Sequence, residues 1–174
     1  MTACWKAILE NADRPAGLAL SRQNLPVFPR GEDGFSDTSN VHRGGYVLLD
    51  TDGGLPDVVL IGTGSELQLA VAARDKLAED GVRARVVSMP CREWFDEQES
   101  SYRESVIPPT VKARVSVEAG IAQGWRELVG DHGRIVSIDQ YGHSAEYSRI
   151  FTEYGMTADA VTSAAHDSIA AATG

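Results

Sequence analysis

From Gly44 onward the chain alternates short apolar runs with stretches whose apolar residues recur every three or four positions. The runs "GGYVLLD", "DVVLIGT", "RARVVSMP", "ARVSVEA" and "RIVSID" have the length and the valine and isoleucine content of strands. Between them the periodicity predicts helices near 65–80, 96–105, 121–129 and 144–154, with a last alanine-rich helix near 158–172. In the first of these Leu67, Ala70, Ala73 and Leu77 form one apolar stripe, and Ser65 and Gln68 have the spacing of a capping box. Alternating βα units predict an α/β fold: a mostly parallel five-stranded sheet with helices on both faces. "GGYVLLD" reaches the next run through too few residues for a crossover helix, so it is expected to be antiparallel, at one edge.

The pattern before Gly44 is different. "ACWKAILENA" reads as a short helix with Trp5, Ile8 and Leu9 on one side, followed by a strand "AGLALS". "VFPRGEDGFSDTSNVHRG" is then full of Pro, Gly, Asp and Ser, and a connection of that length more often joins two domains than sits inside one. The expected organisation is a first piece over 1–26, a linker over 27–43 and a complete domain over 44–174.

Composition narrows the function classes. Sixteen Lys and Arg against 25 Asp and Glu give a net charge of −9, which repels nucleic acid and anionic membranes in the absence of a basic patch, and none is visible. The two cysteines, Cys4 and Cys91, form no CxxC pair, so neither a disulfide framework nor a zinc site is suggested and a reducing cytoplasm fits best. No signal peptide is evident, and no segment approaches the ~20 apolar residues of a membrane span.

Several residues have types suited to chemistry. "LIGTGSELQLA" is strand, glycine loop and helix, a pattern that can cradle an anion. It is a poor dinucleotide signature, since Leu67 stands where the third glycine would be and the next strand ends in "SMP" without an acid. Gly62 and Gly64 therefore read as turn glycines. His42, His132, His143 and His166 lack metal-ligand spacing; His143, just past a strand end, is the one with a candidate functional contact. Glu118 and Asp139 end strands where open α/β sheets place ligand groups, although solvated caps are the plainer reading. Cys91, after Pro90, is a half-buried small residue or an accessible thiol. The strongest candidate lies in "LSRQNLP": at the carboxyl end of a strand, the planar fork of Arg22 grips phosphate or carboxylate, with Gln23 and Asn24 as neutral donors. The alternative is a surface ion pair with Glu32 or Asp33.

The segments "LALSRQNLP", "GGYVLLD", "LIGTGSELQLA", "RVVSMP", "WFDEQ…YRESVIP", "ARVSVEAG", "GW" and "DQYGHSA…YGMT" follow one another as they do in transketolase, and the resemblance covers essentially the whole chain. It implies that residues 1–26 are the end of a pyrimidine-binding domain, 27–43 the interdomain linker and 44–174 the C-terminal domain. Enzymes of this family use thiamine diphosphate and Mg²⁺ or Ca²⁺ to move a two-carbon ketol unit between sugar phosphates in the pentose phosphate pathway, as cytoplasmic homodimers. By the same resemblance Arg22 matches the arginine that binds the substrate phosphate. The family's Gly-Asp-Gly…Asn metal and diphosphate motif, its cofactor-activating glutamate and its channel histidines have no counterpart in residues 1–174. The chain alone is thus expected to bind neither thiamine diphosphate nor metal and to be inactive. Cys91 stands where serine is usual, and His143 and Glu146 where small residues or proline are commoner. Met1 falls inside what would be the pyrimidine-binding domain, so a truncated or proteolysed product is expected; the rival expectation is a free-standing interaction or dimerisation module, and a nucleotide-binding domain using "GTGSE" is weaker still. Residues 1–26, lacking their partners, are expected to fold back on the domain or to pair with a second copy.

Overall fold

The computed structural model describes residues 2–174. The elements in chain order are α1 (Thr2–Glu10), β1 (Tyr46–Leu49), β2 (Val58–Gly62), α2 (Leu67–Glu79), β3 (Ala84–Ser88), α3 (Arg92–Asp96), α4 (Ser100–Val106), β4 (Arg114–Val117), α5 (Arg126–Val129), β5 (Arg134–Val136), α6 (Tyr147–Glu153) and α7 (Ala158–Thr173). Short 3-10 turns precede β1 at Val41–Arg43 and α2 at Gly64–Glu66.

The strands form one sheet in the order β1-β3-β2-β4-β5. β2 pairs in parallel with both β3 and β4, and β4 with β5, while β1 runs antiparallel along the free edge of β3 with Tyr46 opposite Ser88. This is the five-stranded mixed sheet with one antiparallel edge that the pattern predicts. Continuous apolar runs such as Val58–Ile61 are buried on both faces because helices cover both. Val58, Leu60, Val115 and Val117 pack with Ala70, Ala73 and Leu77 of α2 and Val161 and Ala165 of α7. Val59, Ile61 and Val87 point the other way, onto Phe95 of α3, Val106 of α4 and Trp125 beside α5.

Three local expectations differ from the structure. The helix placed near 96–105 is two helices, α3 and α4, and that near 121–129 shrinks to one turn, because Gly124 takes a positive φ of 94° just before it. The capping box does not form: Gln68 Nε2 donates to the carbonyl of Ser65 at 2.9 Å instead of its side chain accepting from the Ser65 N–H, and the first turn is 3-10. Residues 16–21, expected as a strand, join no ladder, and no strand lies beside them to supply partners.

α1 packs on the turn at Val41–Arg43, burying Ala7 with Ala3 and Cys4 alongside. Trp5 and Leu9, two of the three residues read as one side of this helix, are exposed at 48% and 78%. Beyond α1, Arg14 grips Glu97 with both guanidinium nitrogens, and the 27–43 segment holds to the domain through Phe35, bridged to Leu49 and stacked on Phe28 at 5.3 Å.

At the opposite end of the sheet, Arg83 forks onto Asp57 with Nη2–Oδ1 at 2.7 Å and Nε–Oδ2 at 3.2 Å, and its own N–H adds a third bond at 2.9 Å. The Arg83 side chain holds the Asp57 carboxyl below the usual carboxylate range. A depressed folded-state pKa contributes stability above the ordinary aspartate value, which is lost as pH falls through the folded value. Asp57→Asn is accordingly expected to flatten the fall in denaturant midpoint below about pH 4; an unchanged acid limb would contradict this role.

Candidate functional site

In doubly wound sheets the ligand crevice opens where strand order reverses, at the carboxyl ends of the strands. Here the reversal lies between β2, whose crossover α2 leads to β3, and β4, which leads away to β5. The loops after β2 and β4 therefore form the crevice. Gly62 is required there by close approach, because a Cβ would come within 2.8 Å of Leu67 Cα, and Gly64 has φ of 54°.

The loops around the crevice are tied together by their own acids. Glu66, buried at 5% exposure, accepts from the Ala119 N–H at 3.0 Å and from the Ser65 hydroxyl, tying the two loops together. Glu118 accepts from Trp125 Nε1 at 2.6 Å. Asp139 accepts from the Ala122 N–H at 2.9 Å and from the Ser137 hydroxyl at 2.8 Å, and these bonds hold its carboxyl below the usual range. Three carboxylates thus use their acceptor capacity on internal donors. The "GTGSE" loop brings an acid to the crevice, the opposite polarity to a phosphate cradle.

Glu66 went unnoticed in the sequence. The signal available was an acid directly after a strand-and-glycine turn, but its partner Ala119 is 53 residues away.

The remaining candidates are dispersed. Arg22 is exposed and, among the described residues, makes no ion pair with Glu32, Asp33 or any other acid. His42 Nδ1 lies 2.8 Å from the Ser39 carbonyl, His166 Nε2 3.0 Å from Asp80 Oδ2, and the exposed His143 ring 5.9 Å from that of Tyr154. The His132 carbonyl accepts from Ser168 Oγ at 2.8 Å. Cys91 is half-buried, and burial pushes its thiol up, with the Trp94 backbone opposing and Glu93 reinforcing the shift. Among the described residues no three His, Cys, Asp or Glu side chains are placed to hold a metal ion, and no helix is long and apolar enough to cross a membrane. With Glu66, Glu118 and Asp139 already accepting hydrogen bonds from neighbouring loops, the crevice does not fit a diphosphate and its divalent metal.

Comparison with known proteins gives the architecture a family. Residues 44–157 match the transketolase-like TK C-terminal domain. The chain belongs to that family. This transketolase C-terminal domain and its preceding segment are 56% identical over 168 residues to the transketolase of Mycobacterium tuberculosis, covering 92% of this chain and 23% of the relative. They are 49% identical to transketolase 1 of Escherichia coli over 163 residues, covering 94% and 24%. A crystal structure of a Pichia stipitis transketolase mutant in complex with fructose 6-phosphate superposes with a TM-score of 0.84 at 32% identity, covering 97% of this chain and 23% of that one. The chain therefore spans about a quarter of the length of the transketolases it matches.

Proposed function

We propose that this chain is the C-terminal part of a transketolase, which transfers a two-carbon ketol group between sugar phosphates with thiamine diphosphate and Mg²⁺ or Ca²⁺, and that the chain alone is inactive. The observation that carries the reading is 56% identity along 92% of the chain to a transketolase about four times longer. The domain contributes an α/β body in which Glu66, Glu118 and Asp139 accept hydrogen bonds from neighbouring loops at the strand ends.

Arg22 is the one substrate residue in this reading. Its exposed guanidinium, free of a carboxylate partner among the described residues, is available to a sugar phosphate as a charge-assisted fork. The P. stipitis structure's fructose 6-phosphate supports a ligand of that class. Cofactor, metal and catalytic groups belong to the rest of the enzyme.

Calorimetric titration of the isolated chain with thiamine diphosphate and Mg²⁺ is expected to give no binding heat, and a ketol-transfer assay no turnover. Saturable one-to-one binding would overturn the assignment of cofactor residues to the missing part.

A second reading, a free-standing interaction module, is favoured by one feature: Trp5, Leu9, Leu20 and Val27 leave apolar surface exposed along the N-terminal segment. A concentration-independent dimer of the isolated chain, dissociated by Trp5→Asp with Leu9→Asp, would support it; a monomer would remove it.

A further inference from the structure

Between α1, the Arg14–Leu18 segment and the β3–α3 connection lies a cleft of about 340 Å³. Ile8 of α1, Leu18 of the segment, and Val41, Pro90 and Trp94 of the domain supply most of its apolar wall. A volume of this size lies at the small end of ligand pockets, which combine an apolar lining with a few polar groups. The walls are set by contacts already made. α1 packs on the Val41–Arg43 turn, where Ala7 and Val41 are both buried. The Gly44 N–H donates to the Val41 carbonyl at 3.0 Å, the Cys91 N–H to the Gly44 carbonyl at 2.9 Å, and the Phe95 N–H to the Cys91 carbonyl at 3.2 Å.

Charge decides what such a cleft accepts. Among the described lining residues only Arg14 and Glu93 are charged. Arg14 gives two guanidinium nitrogens to Glu97, so its charge is already met. Glu93 makes no ion pair among the described residues, and its carboxylate accepts one side-chain hydrogen bond, from Cys91 Sγ at 3.5 Å. A thiol is a weak donor, so the acceptor capacity of the carboxylate is largely unspent. The same contact holds the carboxylate beside Cys91, which lines the cleft. Burial, reinforced by Glu93 and opposed by the Trp94 backbone, pushes the Cys91 thiol up, so at neutral pH it adds no charge of its own. The wall therefore presents one uncompensated negative charge, and the net charge of −9 on the chain acts in the same direction.

We propose that this cleft binds a small organic cation, an ammonium group carried on a compact apolar or aromatic body. The ammonium donates to the Glu93 carboxylate, and the body lies against Ile8, Leu18, Val41 and Trp94. A neutral molecule of the same shape leaves Glu93 unused, and a carboxylate or phosphate meets it with like charge. The preferred charge is opposite to that of the sugar phosphate assigned to Arg22, so the two readings stand or fall separately.

The test is calorimetric titration of the chain with phenethylamine, phenethyl alcohol and hydrocinnamate, which share an aromatic body and differ in charge. The amine is expected to bind one-to-one with a Kd on the order of 1 mM or below, the alcohol more weakly and hydrocinnamate not measurably. Saturating amine should slow iodoacetamide labelling of Cys91, read by peptide mass spectrometry, because the thiol lies in the occupied wall. Glu93→Gln should weaken the amine about fivefold, the upper end for an exposed ion pair, and leave the alcohol unchanged; a circular dichroism spectrum matching the parent excludes misfolding as the cause. An alcohol that binds as tightly as the amine, amine binding that leaves Cys91 labelling unchanged, an unaltered amine affinity in Glu93→Gln, or no amine binding would each overturn the proposal. If the last came with a dimer that shields Cys91, a second copy of the chain covers the cleft instead.

Discussion

Arg22→Ala in a complete transketolase carrying this sequence is expected to raise KM for phosphorylated donors about 10- to 100-fold and to leave kcat nearly unchanged. A charge-assisted hydrogen bond contributes roughly 1.5–3 kcal/mol, and each 1.4 kcal/mol is a factor of ten. The contact is remote from the reacting carbon in this reading, so ground state and transition state lose it alike and KM carries the effect. Unphosphorylated donors should be spared. Arg22→Lys should recover part of the loss, because a point charge remains while the two-pronged geometry does not. Equal losses on phosphorylated and unphosphorylated donors would contradict phosphate binding by Arg22 and return it to the surface.

Asp50→Ala is expected to lower stability by about 2–3 kcal/mol. Arg85 lies on β3 with its side chain only 9% exposed, and both its Nε and Nη2 bond to Asp50, at 2.8 and 2.9 Å. Its Nη1 donates to the carbonyls of Ser105 and Val106 at 2.7 and 3.1 Å, closing the last turn of α4 against the sheet. Removing the carboxylate leaves a guanidinium buried without its counter-charge, which is more costly than losing an exposed pair. Half-exposure of Asp50 sets the estimate below the figure for a fully buried pair. Asp50→Asn, which keeps an acceptor, should lose less. Urea unfolding at constant m-value reads the difference; a change below about 0.5 kcal/mol would place the pair with ordinary surface bridges.

These two residues also mark the limit of what the sequence makes legible. All five strands and the antiparallel edge follow from local pattern, because a continuous apolar run such as Val58–Ile61 has few other uses in a chain of this composition. Arg85, inside the run "RARVVSMP", reads locally as a charge at a strand start, and only the fold brings Asp50 from 35 residues away to meet it. Glu66 is the same case at the crevice, where the sequence offers glycines and the structure offers a buried acid.

The N-terminal segment fails for a different reason. Its large apolar residues Trp5, Ile8 and Leu9 share one side of the helix, while the surface it meets here takes Ala3, Cys4 and Ala7. A strand at 16–21 is written in the residues, but strand identity needs a neighbour, and none is supplied by residues 2–174.

Arg22 is a third kind of case. Its motif points to phosphate through family resemblance, while its geometry in this chain contributes exposure and the lack of an acid partner among the described residues. The switch-point crevice, by contrast, offers turn glycines in the sequence and hydrogen-bonded carboxylates in the fold.

The most direct measurement is to determine the source DNA upstream of Met1 and translate it in frame. The account predicts an open frame that continues into the rest of a transketolase, with its Gly-Asp-Gly…Asn motif and cofactor-activating glutamate. A stop codon and ribosome-binding site immediately before Met1, with no partner chain supplying those residues, would contradict it.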